Sequence, residues 1–236
     1  ATRGWLDVPF AGAYLALVAV ALLSLAVLSF IRFPVHVVAP GGISGGRPLS
    51  ELARQPVFIV AVAAAALGYG VMNLLMAATP IAMQQCQHPF ESAALVLEWH
   101  VLGMFVPSFF TGHLIKRFGA LPIMGVGVLL NFACVAVALS GVDLMQFLVA
   151  LFVLGVGWNF LFTGGTTLFT QAYRPEEKNK AQGAMDFCVF STMAVSSFAS
   201  GAMITTQGWT WLNLGSLLPI ALVGLALVWL AAQKTA

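Results

Sequence analysis

The sequence predicts an all-α protein that crosses a membrane several times, and two observations support this prediction. Long apolar runs divide the chain, at residues 10–31, 57–79, 93–112, 119–140, 144–169, 184–206 and 210–231. Charged residues make up only 8% of the chain and lie almost entirely between these runs. Because a bilayer core takes about 20 apolar residues per helix, and a charge at its centre costs about 3 kcal/mol, each run is expected to be a transmembrane helix.

The composition excludes several function classes. Hydrophobic residues make up 60% of the chain, well above the roughly 45–50% of soluble domains. The net charge of +2 comes from basic residues at the ends of the apolar runs, so no nucleic-acid partner is expected. Cys86, Cys134 and Cys188 are dispersed and form no disulfide framework. We find no metal-ligand spacing and no cofactor-binding motif, and therefore expect neither a metal nor a cofactor.

The distribution of Lys and Arg orients the predicted spans. These residues occur between spans one and two, three and four, and five and six, and again after span seven. The alternate loops contain neither residue, and Arg3 is the exception to the pattern. Because basic loops stay on the inner side, the C-terminus is expected in the cytoplasm and the N-terminus of this chain outside.

Span one is set apart from the other six. A Gly- and Pro-rich stretch follows it, and a short amphipathic segment at residues 49–56 precedes span two. We therefore predict an outer lead and a lone helix at residues 1–33, a cytoplasmic connector at 34–56, and a six-helix bundle at 57–236. The bundle is expected to form two triplets of helices, and the short loops predict that consecutive helices are antiparallel neighbours.

The start of the chain suggests that it belongs to a longer protein. It begins with Ala1 rather than Met, and its odd number of spans starts from the outside. These observations favour the C-terminal portion of a larger membrane protein. A genuine seven-helix protein with a processed N-terminus is the alternative.

The most informative motif is a basic turn between spans three and four, written Gly-His-Leu-Ile-Lys-Arg-Phe-Gly at residues 112–119. It resembles the signature loop of the major facilitator superfamily, G-x-L-x-D-R-x-G. Gly112, Leu114, Arg117 and Gly119 match that pattern, and Lys116 stands where it has Asp.

Two further stretches carry the same resemblance. Residues 174–183 resemble the inner loop between the tenth and eleventh helices of that family, and residues 155–165 are typical of its bacterial members. The resemblance implies that span one matches the sixth helix and that the other spans form two inverted three-helix repeats. It also implies secondary active transport of a small organic solute by alternating access in a bacterial inner membrane, possible coupling to protons, and an N-terminal half absent from this chain.

The basic turn is expected to act as a gating loop. Gly112 and Gly119 would permit close helix approach and a sharp turn, while Arg117 could bond helix-end carbonyls or a carboxylate on a neighbouring helix. By the resemblance, this loop would be a latch that stabilises the outward-facing state, and Lys116 stands in place of the Asp that the charge-relay form of that latch uses. Plain positive-inside anchoring is the alternative role. Asp186, near the inner end of span six, joins this group, although a helix-capping role is its alternative. Glu176 and Glu177 are predicted to be solvated loop charges.

Ionisable residues inside a span are costly unless they face protein or water. Glu98 and His100 both lie in span three, and their spacing predicts that they point to different sides of the helix. We expect either one to take part in proton coupling, or both to be hydrogen-bonded packing residues.

Mid-span polar and aromatic residues are the candidates for solute binding. Tyr69 and Asn73 lie in span two, and Trp158 and Asn159 lie in span five. By the resemblance, these two spans line the central cavity, where an amide would supply hydrogen bonds and an aromatic ring a stacking surface. Interhelical hydrogen bonding and aromatic packing are the alternative roles. Pro107 and Pro219 are expected to kink spans three and seven.

Other classes of seven-helix protein fit less well. A retinal pigment needs a mid-membrane Lys, and every Lys here lies at the end of a span. A stand-alone receptor or binding protein remains the alternative function. An intramembrane enzyme is not expected, because G-x-S-x-G and H-E-x-x-H are absent.

Overall fold

The computed structural model describes residues 11–31 and 46–235, with the side chains of 234 and 235 left aside. Within these residues the secondary structure is helical. The helices are α1 (Ala11–Ser29), α2 (Leu49–Leu52), α3 (Pro56–Gln85), α4 (Phe90–Phe105), α5 (Ser108–Phe118), α6 (Ala120–Ser140), α7 (Leu144–Phe169), α8 (Lys178–Thr206) and α9 (Gly208–Thr235). A single 3₁₀ turn, Pro175–Glu177, precedes α8 in this described region.

The predicted spans agree with these helices. Among the described residues, seven helical segments are long and apolar enough to cross a membrane, and one of them comprises α4 and α5 together. The lone helix α1 has the highest mean hydropathy, 2.4. It belongs to a separate unit, and the second unit begins at Gly45. Most of the predicted Gly- and Pro-rich connector lies outside the described residues.

The second unit consists of two helix triplets that interlock. The first triplet is α3, α4/α5 and α6, and the second is α7, α8 and α9. Each opening helix packs on the middle helix of the other triplet, α3 on α8 and α7 on α4. The two opening helices run in opposite directions and also pack on each other. This arrangement confirms the predicted pair of inverted three-helix repeats.

Consecutive helices are packing neighbours less often than the short loops predict. The pair α6 and α7 packs extensively, but α7 and α8 pack mainly on other helices. The reason is that α3 and α7 occupy the centre of the unit, where they are the most buried helices. Burial against the other triplet therefore outweighs proximity in sequence.

The bundle has two chemically different ends. The last turn of α5, the region from Arg174 to Lys180 and the segment before α3 carry Lys and Arg, and we call this side the basic end. The loops at the opposite end lack both residues. The helix α3 begins at the basic end with Pro56 in its first turn, where the missing N–H costs nothing.

Candidate functional site

An aromatic cluster lies near the midpoints of the two opening helices. The Tyr69 ring of α3 meets the Trp158 ring of α7 edge-on, with ring centroids 5.5 Å apart. Phe162, one turn beyond Trp158, stacks on it at 5.2 Å, and Phe105 at the end of α4 approaches it at 6.4 Å. We call these four residues the aromatic cluster. They bring three helices to one point near the middle of the membrane.

The exposure of the four rings differs. Trp158 is 7% exposed, so its faces are largely taken by neighbouring rings, whereas Phe105 is 56% exposed. Tyr69 and Phe162 are half-buried. The Trp158 indole Nε1 is buried without a hydrogen-bond acceptor among the described residues. A solute would therefore first meet Phe105, Tyr69 and Phe162 rather than Trp158 itself.

Asn159 bonds the broken helix α4/α5. Its Nδ2 donates to Met104 O at 2.8 Å and to Ser108 Oγ at 2.6 Å, and its Oδ1 accepts from Thr111 Oγ1 at 2.7 Å. It is 2% exposed. The amide predicted to bind solute is thus fully committed to a neighbouring helix, which supports the packing role.

The same contact between α4/α5 and α7 depends on glycines. A Cβ atom on Gly155 would lie 2.5 Å from His100 O, and one on Gly103 would lie 2.6 Å from Phe152 O. Backbone therefore meets backbone here, as is common where small residues face each other in membranes. We call this contact, which contains Pro107, the proline seam.

The second contact of this kind joins α3 and α8. Asn73 Nδ2 lies within hydrogen-bond distance of Met193 O, Ser196 Oγ and Ser197 Oγ, at 3.2, 2.9 and 2.8 Å. Ser200 Oγ donates to Leu74 O at 2.8 Å. Asn73 is therefore also a packing residue in this conformation. Its position, just past the midpoint of an opening helix, corresponds to that of Asn159.

An ion pair closes the basic end of the contact between α3 and α8. Arg47 Nε and Nη2 donate to the two carboxylate oxygens of Glu177 at 2.9 and 2.8 Å. The backbone N–H groups of Arg47 and Arg174 donate to the same carboxylate. Glu177 is fully buried, so the prediction of a solvated loop charge was wrong for this residue, while Glu176 is exposed. Sequence separation hid the partner, which lies 130 residues away.

Further contacts hold the segment before α3 in place. Lys180 Nζ donates to the carbonyls of Gly46 and Arg47, and Gln55 Nε2 donates to Ala172 O at 2.9 Å. The hydrogen bond to Glu177 raises the pKa of the Arg47 guanidinium above its ordinary value. We call the pair Arg47–Glu177 the clamp, and the contact of α3 with α8 the clamped seam.

The predicted gating loop forms a tight turn but remains open to solvent. Gly119 has a φ of 90° and ends α5, which explains why a glycine is needed there. Gly112, Lys116 and Arg117 are exposed, and a Cβ on Gly112 would meet no described atom within 4 Å. The close approach predicted for Gly112 is therefore not seen within the described residues.

Asp186 does not join the gating loop in the described structure. Its Oδ1 accepts a hydrogen bond from Gln182 of the same helix at 3.0 Å, and its side chain is exposed. The Arg117 guanidinium instead lies over the ring of Phe118, 5.2 Å from its centroid.

Glu98 and His100 point to different sides of α4, as their spacing predicts. Glu98 is exposed, whereas His100 is completely buried against α7. His100 Nδ1 lies 2.7 Å from Leu151 O, and because a carbonyl can only accept, this nitrogen carries the proton. His100 Nε2 is buried and has no partner among the described residues.

The recorded cavities lie away from the aromatic cluster. One of about 560 Å³ opens between α3 and α4 at the end without basic residues, near Gln84 and His88. Another, of about 240 Å³ and mostly apolar, lies between α3, α8 and α9. A third, of about 190 Å³, lies beside Gly112 and Lys116 at the basic turn, and Trp158 lines none of the three.

Sequence reasoning missed three groups at this site. Phe105 was hidden because aromatic residues are common in every span, although its position just before Pro107 was a usable signal. Phe162 lies four residues after Trp158, the spacing that places both on one helix face. Arg47 and Glu177 gave no signal, because nothing in the sequence pairs two distant loop charges.

Comparison with known proteins gives one family. A family model described as Major Facilitator Superfamily matches residues 60–236. The "Riboflavin transporter RfnT" of Brucella anthropi is 45% identical over 208 residues, which cover 88% of this chain and 52% of that protein. The family match at residues 60–236 includes the helices of both seams apart from the first turn of α3.

More distant relatives belong to the same group. The "Uncharacterized MFS-type transporter YddS" of Bacillus subtilis is 31% identical over 65% of this chain and 36% of its own length. The "4-hydroxybenzoate transporter PcaK" of Pseudomonas putida is 33% identical over 60% of this chain and 31% of its own length. The chain thus spans about half or less of the length of the curated relatives it matches.

Proposed function

The chain belongs to the major facilitator superfamily, and we propose that it is the C-terminal portion of a secondary active transporter for a small organic solute. An N-terminal half would supply the opposite wall of the solute site, and the two halves would rock around it. Relatives about twice as long support this proposal. Membership of a transporter family agrees with the prediction that the chain is not an enzyme.

The aromatic cluster is the observation that carries the proposal. It lies near mid-membrane on the opening helices of the two inverted repeats, the position where carriers of this architecture bind solute. Phe105 and Tyr69 present accessible aromatic surface beside the buried Trp158. The aromatic cluster is exposed on the side of Phe105, and an N-terminal half of the transporter could complete the solute site there.

We propose riboflavin, or a solute of similar planar aromatic character, as the cargo. The relative named as a riboflavin transporter is 45% identical to this chain, and another relative is named for 4-hydroxybenzoate, which also has an aromatic ring. Offset and edge-to-face ring contacts contribute about 0.5–1.5 kcal/mol each beyond area burial. We keep Tyr69 and Trp158 as proposed solute contacts and assign Asn73 and Asn159 to helix packing.

Glu98 is the better candidate for proton coupling. It is exposed on α4, whereas His100 is enclosed by α7. The helices α3 and α7, which pack against α4, contain no Asp, Glu, Lys, Arg or His. We propose that Glu98 exchanges protons with the solute pathway, and that His100 holds α4 to α7.

We propose an inner-membrane location with the basic end in the cytoplasm. Lys and Arg residues from three separate described segments, in loops and at helix ends, lie at that end, as the positive-inside rule requires. Labelling of a cysteine at Glu176 from the cytoplasmic side alone would support this orientation. Labelling from the outside alone would overturn it.

Uptake into proteoliposomes tests the proposed function. The complete protein encoded by the reading frame should accumulate riboflavin, and this chain alone should not. Tyr69→Ala should raise the apparent KM about tenfold, the effect of one lost ring contact. Trp158→Ala should also raise it, because Tyr69 and Phe162 lose the ring on which they pack. Trp229→Ala on α9 is the matched control and should leave KM unchanged. Robust uptake by this chain alone would overturn the two-half proposal.

The coupling proposal has its own measurement. Glu98→Gln should abolish the dependence of uptake on a pH gradient and spare riboflavin counterflow, because only the proton carrier is lost. Glu91→Gln, at the start of the same helix, is the charge-matched control. Unchanged pH dependence in Glu98→Gln would remove Glu98 from the mechanism.

A further inference from the structure

We propose that Asn159 is a positioning residue that holds a hinge in the helix α4/α5 and thereby links the aromatic cluster to the basic turn. The proposal rests on the proposed transport function for its consequence, but the hinge itself is a property of this chain. It assigns to Asn159 a role in movement instead of the solute contact expected from the sequence.

The first step is the break in the helix. Pro107 has no N–H to donate, and its ring excludes the carbonyl four residues earlier. The hydrogen-bond ladder restarts beyond it, where Phe109 N–H donates to Val106 O and Thr111 N–H donates to Pro107 O. The regular pattern of helical hydrogen bonds is therefore interrupted at Val106 and Pro107, although both keep helical backbone angles (φ −59°, ψ −43° and φ −60°, ψ −25°), and α4 and α5 form one membrane crossing.

The second step is the way Asn159 bridges the break. Its Nδ2 bonds Met104 O before the proline and Ser108 Oγ after it, and its Oδ1 accepts from Thr111 Oγ1 one turn further along. Each of these partners is thus fixed to α7 by one amide group. An unpaired carbonyl or hydroxyl in apolar surroundings costs free energy. Changing the angle between α4 and α5 would break some of these bonds, so the Asn159 amide favours the observed angle.

The third step is a comparison within the molecule. Asn73 makes a similar set of bonds to α8, with one carbonyl and two hydroxyls as partners. The helix α8 has no proline and runs unbroken from Lys178 to Thr206. The amide alone therefore does not create a break, and the hinge requires both Pro107 and Asn159.

The fourth step connects the hinge to both functional regions. Phe105 is the last residue of α4, and its ring approaches Trp158, the neighbour of Asn159 in sequence. Beyond the hinge, α5 leads directly to Lys116, Arg117 and the turn at Gly119. A planar solute that displaces the exposed Phe105 ring would therefore tilt α5 and move the basic turn.

Hydrogen–deuterium exchange in solute-free protein tests the hinge without relying on any cargo. Thr111→Val, with little change in size, removes the hydroxyl that reaches both Asn159 Oδ1 and Pro107 O. It should speed exchange of the amides of 106 and 108–111 about tenfold, the change expected for one buried hydrogen bond, and Asn159→Ala isolates the part due to the bond with α7. Asn159→Ala should have a larger effect. Asn73→Ala, on the clamped seam, should leave this segment unchanged. Equal exchange in all three variants and the unmodified protein would overturn the proposal.

A double-mutant cycle tests the link to transport. In riboflavin counterflow, Asn159→Ala should lower the maximal rate about tenfold with KM within about twofold, because a solute contact is not removed. Pro107→Ala should also lower the rate, since it restores the missing donor and stiffens the helix. The double variant should be no slower than either single variant, because both act on one hinge. A raised KM, or additive losses, would contradict the proposal.

The failure of the transport proposal would look different. If riboflavin were not carried, counterflow would be absent in the unmodified protein, and the exchange measurement would still decide on the hinge. If riboflavin were carried and exchange were unaffected by Thr111→Val and Asn159→Ala, the hinge would be wrong and the proposed function would stand.

Discussion

The proline seam and the clamped seam occupy equivalent places in the two inverted repeats, yet they differ in three ways. Each joins an opening helix to the middle helix of the other triplet through an Asn side chain. The proline seam contains a broken helix, backbone-to-backbone contact at Gly155, and an exposed basic turn at its end. The clamped seam contains an unbroken helix, side-chain contact at Gly70, and the clamp.

The difference indicates where this half of the protein can move. A continuous helix held at one end by a buried ion pair resists bending, and its hydrogen bonds stay within regular geometry. The helix α4/α5 lacks the backbone hydrogen bond that Pro107 cannot donate, so its two segments can change their angle there, while the tight glycine contact before the proline fixes α4. We therefore expect α5 to move while α3 and α8 move as one body.

The largest expected effect on stability comes from Gly155→Ala. The new Cβ would lie 2.5 Å from a backbone oxygen, His100 O, so the helices must separate, at a cost of about 1–3 kcal/mol. Gly70→Ala should cost less, because its Cβ would meet the end of a side chain, Thr192 Cγ2, which can rotate. Thermal unfolding in detergent measures both.

Gly183→Ala is the control for this comparison. A Cβ on Gly183 would meet no described atom within 4 Å, so the melting temperature should change little. If Gly70→Ala lowered the melting temperature more than Gly155→Ala, the proline seam would not be the more tightly packed of the two.

Loss of the clamp should have the next largest effect, and it is seen as faster proteolysis. Glu177→Ala removes the partner of Arg47 and should release the segment before α3, because two backbone N–H groups also lose their acceptor. Trypsin should then cut after the exposed Arg54 about tenfold faster, since cleavage follows the population of the open form. Glu176→Ala removes the same charge from an exposed position, and trypsin should cleave this variant as fast as the unmodified protein. Equal rates of trypsin cleavage after Arg54 in the Glu177→Ala and Glu176→Ala variants would mean that the clamp does not hold the segment before α3.

Asn73→Ala should have a smaller effect than the glycine substitutions and the clamp variant, and its effect is on the free energy of unfolding. Ser196 and Ser197 already donate to Met193 O, so their hydroxyls keep a partner after the amide is removed. The expected cost is about 0.6 kcal/mol, the average for hydrogen bonds between membrane helices. Denaturant unfolding in mixed micelles measures it. A cost above that of Asn159→Ala would reverse the assigned difference between the seams.

The sequence predicted the helices well because hydropathy and charge placement report directly on the membrane. The bounds of α6 and α7 agree with the predicted runs within one residue at each end. A kink was expected at Pro107 and at Pro219; the helical hydrogen-bond pattern is interrupted at Pro107, whereas Pro219, like Pro80, lies inside an uninterrupted helix. Whether a proline breaks a helix depends on what the neighbouring helix offers, and the sequence of one span does not contain that information.

The candidate site was less predictable. Tyr69 and Trp158 were identified from their mid-span positions, and the structure brings them together. Asn73 and Asn159 lie near the middle of their helices, as the sequence indicates. The sequence does not show which neighbouring helix each side chain faces, and both amides bond a neighbouring helix. Glu177 illustrates the same limit, because its burial follows from Arg47, a residue in a distant segment.

Paired spin labels test the central claim, that the proline seam moves and the clamped seam does not. Cysteines at Arg117 and Gln171 report on the basic end of the proline seam, and cysteines at Arg54 and Asn179 report on the clamped seam, in a background with Cys86, Cys134 and Cys188 replaced. We predict that riboflavin shifts the distance distribution of the first pair by several ångströms and leaves the second unchanged. Equal shifts in both pairs, or a shift in the second pair alone, would contradict the account.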